Sequence, residues 1–432
     1  MWIQRGNEVH GSDPGQHLLC AATAILGLLV FCGSVPQEAG AQAALVSRAD
    51  YCRRVGDENF VSSYVACTVT TATGFGATYM SGAIDWGSDV GVAWVDFNGD
   101  KRADYCRRIG DENHVSSYVA CTVSTGTGFG ATYQSEVIDW GYDGGVGWAD
   151  FNGDGRADYC RRIGDENFVS SYVACTVSTG TGFGPTYQSD VIEWGYDIGV
   201  GWADVTGDGR ADYCRRIGDV NKESSYVACT VSTGTGFGPT YQSDVIDWGL
   251  DSSVAWVDFN GDGRTDYCRE HTFSNESLTL VNCTPSTGTG FGPLVGAGLD
   301  SANTTYTRSA WADQNGDGRA DYCSPSTNHY IRCLHSTVDD LGDPYSDQWW
   351  YQIAELGHPT AAVWIDVTGD HRADFCRRVG AENNVSSRLQ CTVTAGYDPG
   401  PTYTSGVIDW GYDVGFAWVD FNGPERLMSL GK

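Results

Sequence analysis

Apolar and polar residues alternate in short runs that return along most of the chain. GVGWADF, ADYCRRIG, SSYVACTVST and SEVIDWG are each rich in Val, Ile, Tyr, Trp or Thr, as strands are. NGDG, GDEN and TGTGFG lie between them. These Gly, Asn and Asp clusters favour turns. No segment holds a sustained 3.6-residue period. The pattern predicts an all-β chain with four short strands per unit.

The unit itself repeats. Its acidic turn begins at Asp96, Asp150, Asp204, Asp258, Asp313, Asp366 and Asp420, at intervals of 54, 54, 54, 55, 53 and 54 residues. Seven units run from Arg48 to Gly423 and leave no room for another domain of ordinary size. Four strands in such a unit match one propeller blade, which predicts a seven-bladed β-propeller. The rival is a long β-solenoid, whose repeats are usually shorter. The repeat opens at Arg48-Ala49-Asp50-Tyr51-Cys52, in mid-unit, and ends on Phe416-Ala417-Trp418-Val419-Asp420. The C-terminal strand is therefore expected to complete the first blade and close the ring, removing both sheet edges.

Cysteine changes the picture next. Of 16 Cys, Cys20 and Cys32 lie near the N-terminus and the others fall two per unit. The pairs are Cys52/Cys67, Cys106/Cys121, Cys160/Cys175, Cys214/Cys229, Cys268/Cys283, Cys323/Cys333 and Cys376/Cys391. A hairpin around Asp111–Ser116 sets Cys106 opposite Cys121, the geometry of a cross-strand disulfide. Buried free thiols are the alternative. No CxxC pair or repeating His argues for zinc.

Such a disulfide count implies an oxidising compartment. Leu18–Phe31 is an apolar run followed by Ala41-Gln42-Ala43. It reads as a secretory signal over residues 1–43, cut before Ala44. Arg5 precedes it together with Glu8 and Asp13, so the usual positive flank is missing. An uncleaved anchor is the alternative, and only that would bring a membrane. Residues 424–432 abandon the repeat. The formal charge of −29 repels phosphate backbones, so nucleic acid is not an expected partner.

The repeated acidic loops carry the clearest chemistry. Asp150, Asn152, Asp154 and Asp158 stand at loop positions 1, 3, 5 and 9. The same spacing gives Asp96/Asn98/Asp100/Asp104, Asp204/Thr206/Asp208/Asp212, Asp258/Asn260/Asp262/Asp266, Asp313/Asn315/Asp317/Asp321 and Asp366/Thr368/Asp370/Asp374. Closely clustered oxygen ligands suit Ca²⁺. Without a cation three carboxylates in one turn repel one another. Lys101 and His371 replace the sixth-position Gly, which is expected to need a positive φ. A seventh loop would join Asp420 and Asn422 to Asp50, but Pro424 replaces its fifth-position Asp.

This DxNGDGxxD loop, with GFGPT at Gly182–Thr186 and Gly236–Thr240, resembles the FG-GAP/VCBS repeat family over nearly all of residues 48–423. The resemblance implies a propeller like the integrin α-subunit head and certain fungal lectins. It implies calcium between the first two strands of a blade, and ligands on one loop face or in grooves between blades. The disulfide in each unit and the near-identity of the units depart from that family.

Candidate ligand contacts are Tyr142, Asp143, Tyr196, Asp197, Tyr412 and Asp413, each after a Trp-Gly pair. An aromatic face beside an acid stacks on a sugar and holds its hydroxyls. The Trp residues themselves read mainly as packing. Arg107-Arg108 and their copies either read a carboxylate or pair with neighbouring acids. No Ser-His-Asp, HExxH or GxSxG context is present, and a non-enzyme is expected. The reading is a secreted, calcium-binding propeller that binds extracellular glycans or glycoproteins multivalently. The alternative is a cell-surface or protein-adhesion scaffold without lectin activity.

Overall fold

A computed structural model describes residues 45–426, apart from 58–60, 112–116, 166–170, 219–224, 273–277, 301–308, 327, 343–347, 359–361, 382–385 and 396–397. The expected signal segment, residues 427–432 and the GDEN hairpin tips lie outside the described residues.

Seven four-stranded antiparallel sheets follow one another along the chain. In the third, Gly147–Ala149 is innermost, followed outward by Asp158–Ile163, Tyr172–Ser178 and Phe183–Gln188. The first blade is composite. Ala417–Val419 pairs with Asp50–Gly56, setting Asp50 opposite Val419 and Cys52 opposite Ala417. Beyond it, Leu45–Val46 pairs with Glu425–Arg426 as a separate two-stranded antiparallel sheet. The tail thus continues to pair after the repeat pattern ends.

One backbone hydrogen bond marks every blade boundary. The Ala157 amide donates to the Asp96 carbonyl at 2.7 Å. The same bond links Ala211 to Asp150, Thr265 to Asp204, Ala320 to Asp258 and Ala373 to Asp313. It then crosses the chain ends, from Ala49 to Asp366 and from Ala103 to Asp420. The circuit has no gap, so the seven blades form a closed ring.

The outer strand differs from the sequence expectation. FGPTYQ pairs as Phe183–Gln188, whereas SDVIEWG leaves the sheet. Alternation explains the choice. Tyr187 lies opposite Cys175, and Thr186 faces Thr176 with their hydroxyls 2.7 Å apart. The SDVIEWG stretch instead crosses towards the next blade, buries Trp194 and turns at Gly195, where φ is 72°. Trp194 serves burial between blades while Val191 is half exposed, so the strand-like composition of this stretch does not make it a strand.

The core is built between blades. Phe151, from the FNGD turn, packs against Phe237 of the next blade's GFG segment with centroids 5.0 Å apart. Phe97 meets Phe183 in the same way at 5.1 Å.

All seven expected disulfides form, each inside one blade. Cys52 bonds Cys67 in the first, Cys106 bonds Cys121 in the second and Cys160 bonds Cys175 in the third. Cys214 bonds Cys229, Cys268 bonds Cys283, Cys323 bonds Cys333 and Cys376 bonds Cys391 in the next four. In every case the partners stand directly opposite on the second and third strands. The bonds set aside the alternative of free thiols, and the fourteen sulfurs are fully buried. Cys20 and Cys32 lie outside the described residues. In the divergent sixth unit, Gln348–Gln352 supplies the outer strand.

Acidic loops and a groove between blades

Antiparallel order gives the ring two faces. Acidic loops and TGTG turns occupy one. The connections carrying Trp-Gly-Tyr-Asp occupy the other.

On the first face each acidic loop is held from within. Asp150 accepts the amides of Gly153, Asp154 and Gly155 at 2.7 to 3.1 Å. Asn152 accepts the Asp154 amide at 3.0 Å. Asp154 pairs with the guanidinium of Arg156. Asp158 is buried and clasps its blade, taking the Ser178 amide at 2.7 Å and the Phe151 amide at 3.2 Å. Burial first, then the like charges of Asp154 and Asp150, push its carboxyl up to about 7. Lys101 and His371 both adopt a φ of 65°, the conformation expected at the sixth position.

The third and fifth positions follow the same plan in the other loops. In the second blade Asn98 accepts the Asp100 amide at 2.9 Å, and Asp100 pairs with Arg102 at 2.9 Å. Asn260 accepts the Asp262 amide at 3.0 Å, and Asn315 accepts that of Asp317 at 2.9 Å. Asp262 pairs with Arg264, and Asp317 with Arg319. Threonine changes the arrangement. The Thr206 and Thr368 hydroxyls donate to Asp204 and Asp366, at 3.2 and 3.3 Å. Asp208 and Asp370 accept the amides of Arg210 and Arg372, both at 3.0 Å. The first-, third- and fifth-position side chains of all six loops are thus engaged in hydrogen bonds within their own loops.

The ninth-position acid does the same work in every blade. Asp104, Asp212, Asp266, Asp321 and Asp374 each accept the corresponding Ser or Thr amide at 2.7 to 2.9 Å. Asp50 does so too, accepting from Thr70 at 2.7 Å and Phe421 at 3.1 Å. Asp50 belongs to the loop interrupted by Pro424. The clasp is therefore a feature of the blade whether or not the loop sequence is complete.

Among the described residues no group of three or more His, Cys, Asp or Glu converges to hold a metal as it stands. In this geometry Asp96, Asp100 and Asp104, like the three acids of each other loop, are gathered along one turn and not around one point. The expected four-ligand sets would therefore need their side chains to turn inward. The donors fit a hard cation in kind: they are all oxygen, within nine residues, and their mutual repulsion is partly unmet. In the fifth blade the buried Asp266 Oδ2 accepts no hydrogen bond of normal geometry. Sequence reasoning missed the arginines. Arg102 reaches back to the Asn422 carbonyl at 3.2 Å, and Arg372 to that of Asn315 at 3.2 Å. In these two blades the seventh-position Arg joins its own loop to that of the blade before it, whereas Arg210, Arg264 and Arg319 donate to the Ser232, Ser286 and Ser336 carbonyls of their own blades.

On the second face the aromatic-acid connections lie at the boundaries between the second and third, third and fourth, and seventh and first blades. Tyr142 is 42% exposed and rests on Trp194, with centroids 4.8 Å apart. Tyr196 rests on Trp248 at 4.9 Å and Tyr412 on Trp86 at 5.0 Å. Tyr142, Asp143 and Asp197 share a cavity of about 670 Å³ with Gly144, Tyr172 and Trp194. Tyr196 and Tyr412 belong to other boundaries. The six candidates are thus distributed around the ring. Trp140, Trp194 and Trp410 are buried, in keeping with packing.

The acids on this face are fixed by buried arginines. Arg108 donates to Asp143 at 2.6 Å, Arg162 to Asp197 at 2.5 Å and Arg378 to Asp413 at 2.6 Å. The second Arg of each Arg-Arg pair thus reads an acid of its own chain. The first is buried as well: Arg161 donates to Thr176 at 2.7 Å and to the Asp139 carbonyl at 2.7 Å. A second cavity, of about 550 Å³, lies where the inner strands of the first, sixth and seventh blades meet, beside Trp364 and Arg372.

These features define a disulfide-stapled, seven-bladed β-propeller. Its seven disulfides suit an oxidising compartment, extracellular or periplasmic. No family model matches the chain. A curated relative, the NAD(+)--arginine ADP-ribosyltransferase Chelt of Vibrio cholerae, is 25% identical over 302 residues. That match covers 68% of this chain and 46% of the relative, so the chain spans less than half of that enzyme's length. The expectation of a non-enzyme is corrected by this relative, an ADP-ribosyltransferase. Among solved structures, the Dos1 propeller is 8% identical at a TM-score of 0.32, covering 77% of this chain and 73% of its own. The Pseudomonas aeruginosa periplasmic gluconolactonase PpgL is 12% identical at 0.34, covering 83% and 100%. The Vibrio cholerae biofilm matrix protein Bap1 is 10% identical at 0.18, covering 84% and 81%. The fold assignment rests on the strand pairing described above. Among the described residues no helix is long and apolar enough to cross a membrane.

Proposed function

We propose that the ring is a secreted recognition module that binds glycans through the grooves between its blades. One observation carries the reading. A half-exposed Tyr sits on the next blade's Trp, beside an Arg-fixed acid, and this arrangement recurs at Tyr142, Tyr196 and Tyr412. An aromatic face with a fixed hydrogen-bond acceptor suits a sugar ring and its hydroxyls. Recurrence suits multivalent surfaces, where linked weak sites gain avidity.

Calcium is part of the proposal. Asp150, Asn152, Asp154 and Asp158, with their copies, would hold it. When bound, it supplies the positive charge these clustered carboxylates lack. Two features support this reading: the all-oxygen donor set, and the raised carboxyl of each ninth-position Asp.

A glycan array on residues 44–432, with calcium and then with EDTA, tests the proposal. A defined sugar class weakened by Tyr142→Ala, Tyr196→Ala and Tyr412→Ala is the expected result. A blank array from folded, calcium-loaded protein ends the glycan reading and leaves protein adhesion.

The Chelt match favours a second reading, in which this ring is the recognition part of a polypeptide with transferase activity. Incubation with NAD and a guanidine acceptor, read as nicotinamide release, tests it.

A further inference from the structure

The grooves are not equivalent. Gly144 stands where the corresponding connections carry Val90, Ile198, Ser252 and Val414. Its backbone lies outside the left-handed region, so no turn requires glycine there. A Cβ at Gly144 would come within 2.5 Å of Asp197 Oδ1. With no side chain at Gly144 the cavity wall is set back beside Asp197, whose side chain is 70% exposed, against 64%, 61% and 65% for Asp89, Asp143 and Asp251.

The cavity is of small-ligand size, for which about 300–1,000 Å³ is usual. One part of its wall is the Tyr142 ring on Trp194. Four carboxylates line it, from Asp139, Asp143, Asp165 and Asp197, of which Asp143 and Asp197 are paired with the guanidinium groups of Arg108 and Arg162. An aromatic face attracts an organic cation. A concave mouth with net negative charge concentrates one.

We infer that the groove opened by Gly144 is the principal ligand site of the ring, and that it takes a sugar bearing a protonated amine. This rests on the glycan reading above and narrows it. The sugar ring lies against Tyr142, and its ammonium group faces Asp143 and Asp197. The Arg108 and Arg162 partners hold those two acids in place, so little ordering is needed on binding.

Calorimetry with glucosamine, N-acetylglucosamine and glucose at about pH 6, where the free amine is charged, tests the inference. Glucosamine is expected to bind one high-affinity site roughly tenfold more tightly than either neutral sugar. Gly144→Val is expected to remove that site without lowering Tm, because Val90 and Val414 occupy the same position elsewhere. Ile198→Gly is expected to add a second site of the same preference. Equal affinity for the neutral sugars overturns the ammonium assignment and leaves the glycan reading standing. Unchanged binding by Gly144→Val, or no second site in Ile198→Gly, overturns the role of the glycine. If folded protein binds none of the three sugars, the inference falls together with the glycan reading.

Discussion

Arg108, with a side chain only 1% exposed, donates to Asp143 at 2.6 Å across a blade boundary. Its Nε also donates to the Tyr159 hydroxyl of the next blade at 2.6 Å, and Nη2 reaches the Trp140 carbonyl at 3.0 Å. One side chain thus ties a blade to the neighbouring blade and to the connection between them. Arg54, Arg162, Arg216 and Arg378 repeat the tie. In the fifth and sixth blades Glu270 and Pro325 stand in its place.

Replacing Arg108 by Met should cost roughly 2–4 kcal/mol, since several buried hydrogen bonds are lost together. Urea unfolding measures it. The exposed Asp143 contributes little by itself, so Asp143→Asn should cost under about 1 kcal/mol. Equal losses from both variants would show that the ion pair, and not the buried network, dominates.

Acidity and calcium should act in opposition. In calcium-free protein burial raises Asp50, Asp104, Asp158, Asp266 and Asp374 to about 7, Asp212 to about 6 and Asp321 to about 8, from 3.8. The folded value exceeds the unfolded one, so folding takes up protons. This stabilising contribution is complete below about pH 4 and is lost as pH rises through about 7. Tm in EDTA should therefore rise as pH falls from about 8 to about 5. With calcium the gain over EDTA should be largest at the alkaline end, because protons compete for the ligand oxygens. A calcium gain independent of pH would rule out the buried Asp as ligands.

Lys101 and His371 hold a left-handed backbone at a φ of 65°. Lys101→Gly and His371→Gly should each stabilise the ring by about 1 kcal/mol, the usual relief at such a position. Thermal melts of the single and double variants check this. The two loops lie in the second and seventh blades, so the gains should add.

Each disulfide closes a short loop, with a separation of 15 residues in six blades and 10 in the sixth. Removing Cys160–Cys175 by a double Ser substitution should cost about 3 kcal/mol. Since the sulfurs are fully buried, a reductant should act only through opened blades. Reduction followed by mass spectrometry should keep pace with local unfolding and be slow in native buffer. Rapid reduction of all seven would contradict that burial.

Much of this was legible in the sequence because the repeat states each rule several times. Cys160 and Cys175 are set opposite by hairpin spacing, and the split first blade follows from the phase of the repeat at Asp50 and Val419. The outer strand was misread because FGPTYQ and SDVIEWG share strand-like composition. Only pairing to the third strand separates them, and pairing is a tertiary fact. The role of Asp158 was half legible. Its spacing suggests a metal ligand, while its amide partners, Ser178 and Phe151, become neighbours only in the folded blade. Gly144 is not marked out by the sequence alone. Its meaning appears when Asp197, from the next repeat, is found beside it.

The composite first blade has a mechanical consequence. Asp50 and Val419 face each other at the ends of their strands from which the chain departs in both directions. A force drawing those two departures apart therefore loads the ladder at one end, where hydrogen bonds fail one after another, as in a zipper. The six continuous blades would meet the same force through covalent chain and disulfides. Tension should open the ring at this seam first, beginning at Leu45–Val46 and Glu425–Arg426. The released inner strand would expose Trp418, which is 6% exposed in the closed ring, and its fluorescence would report the opening.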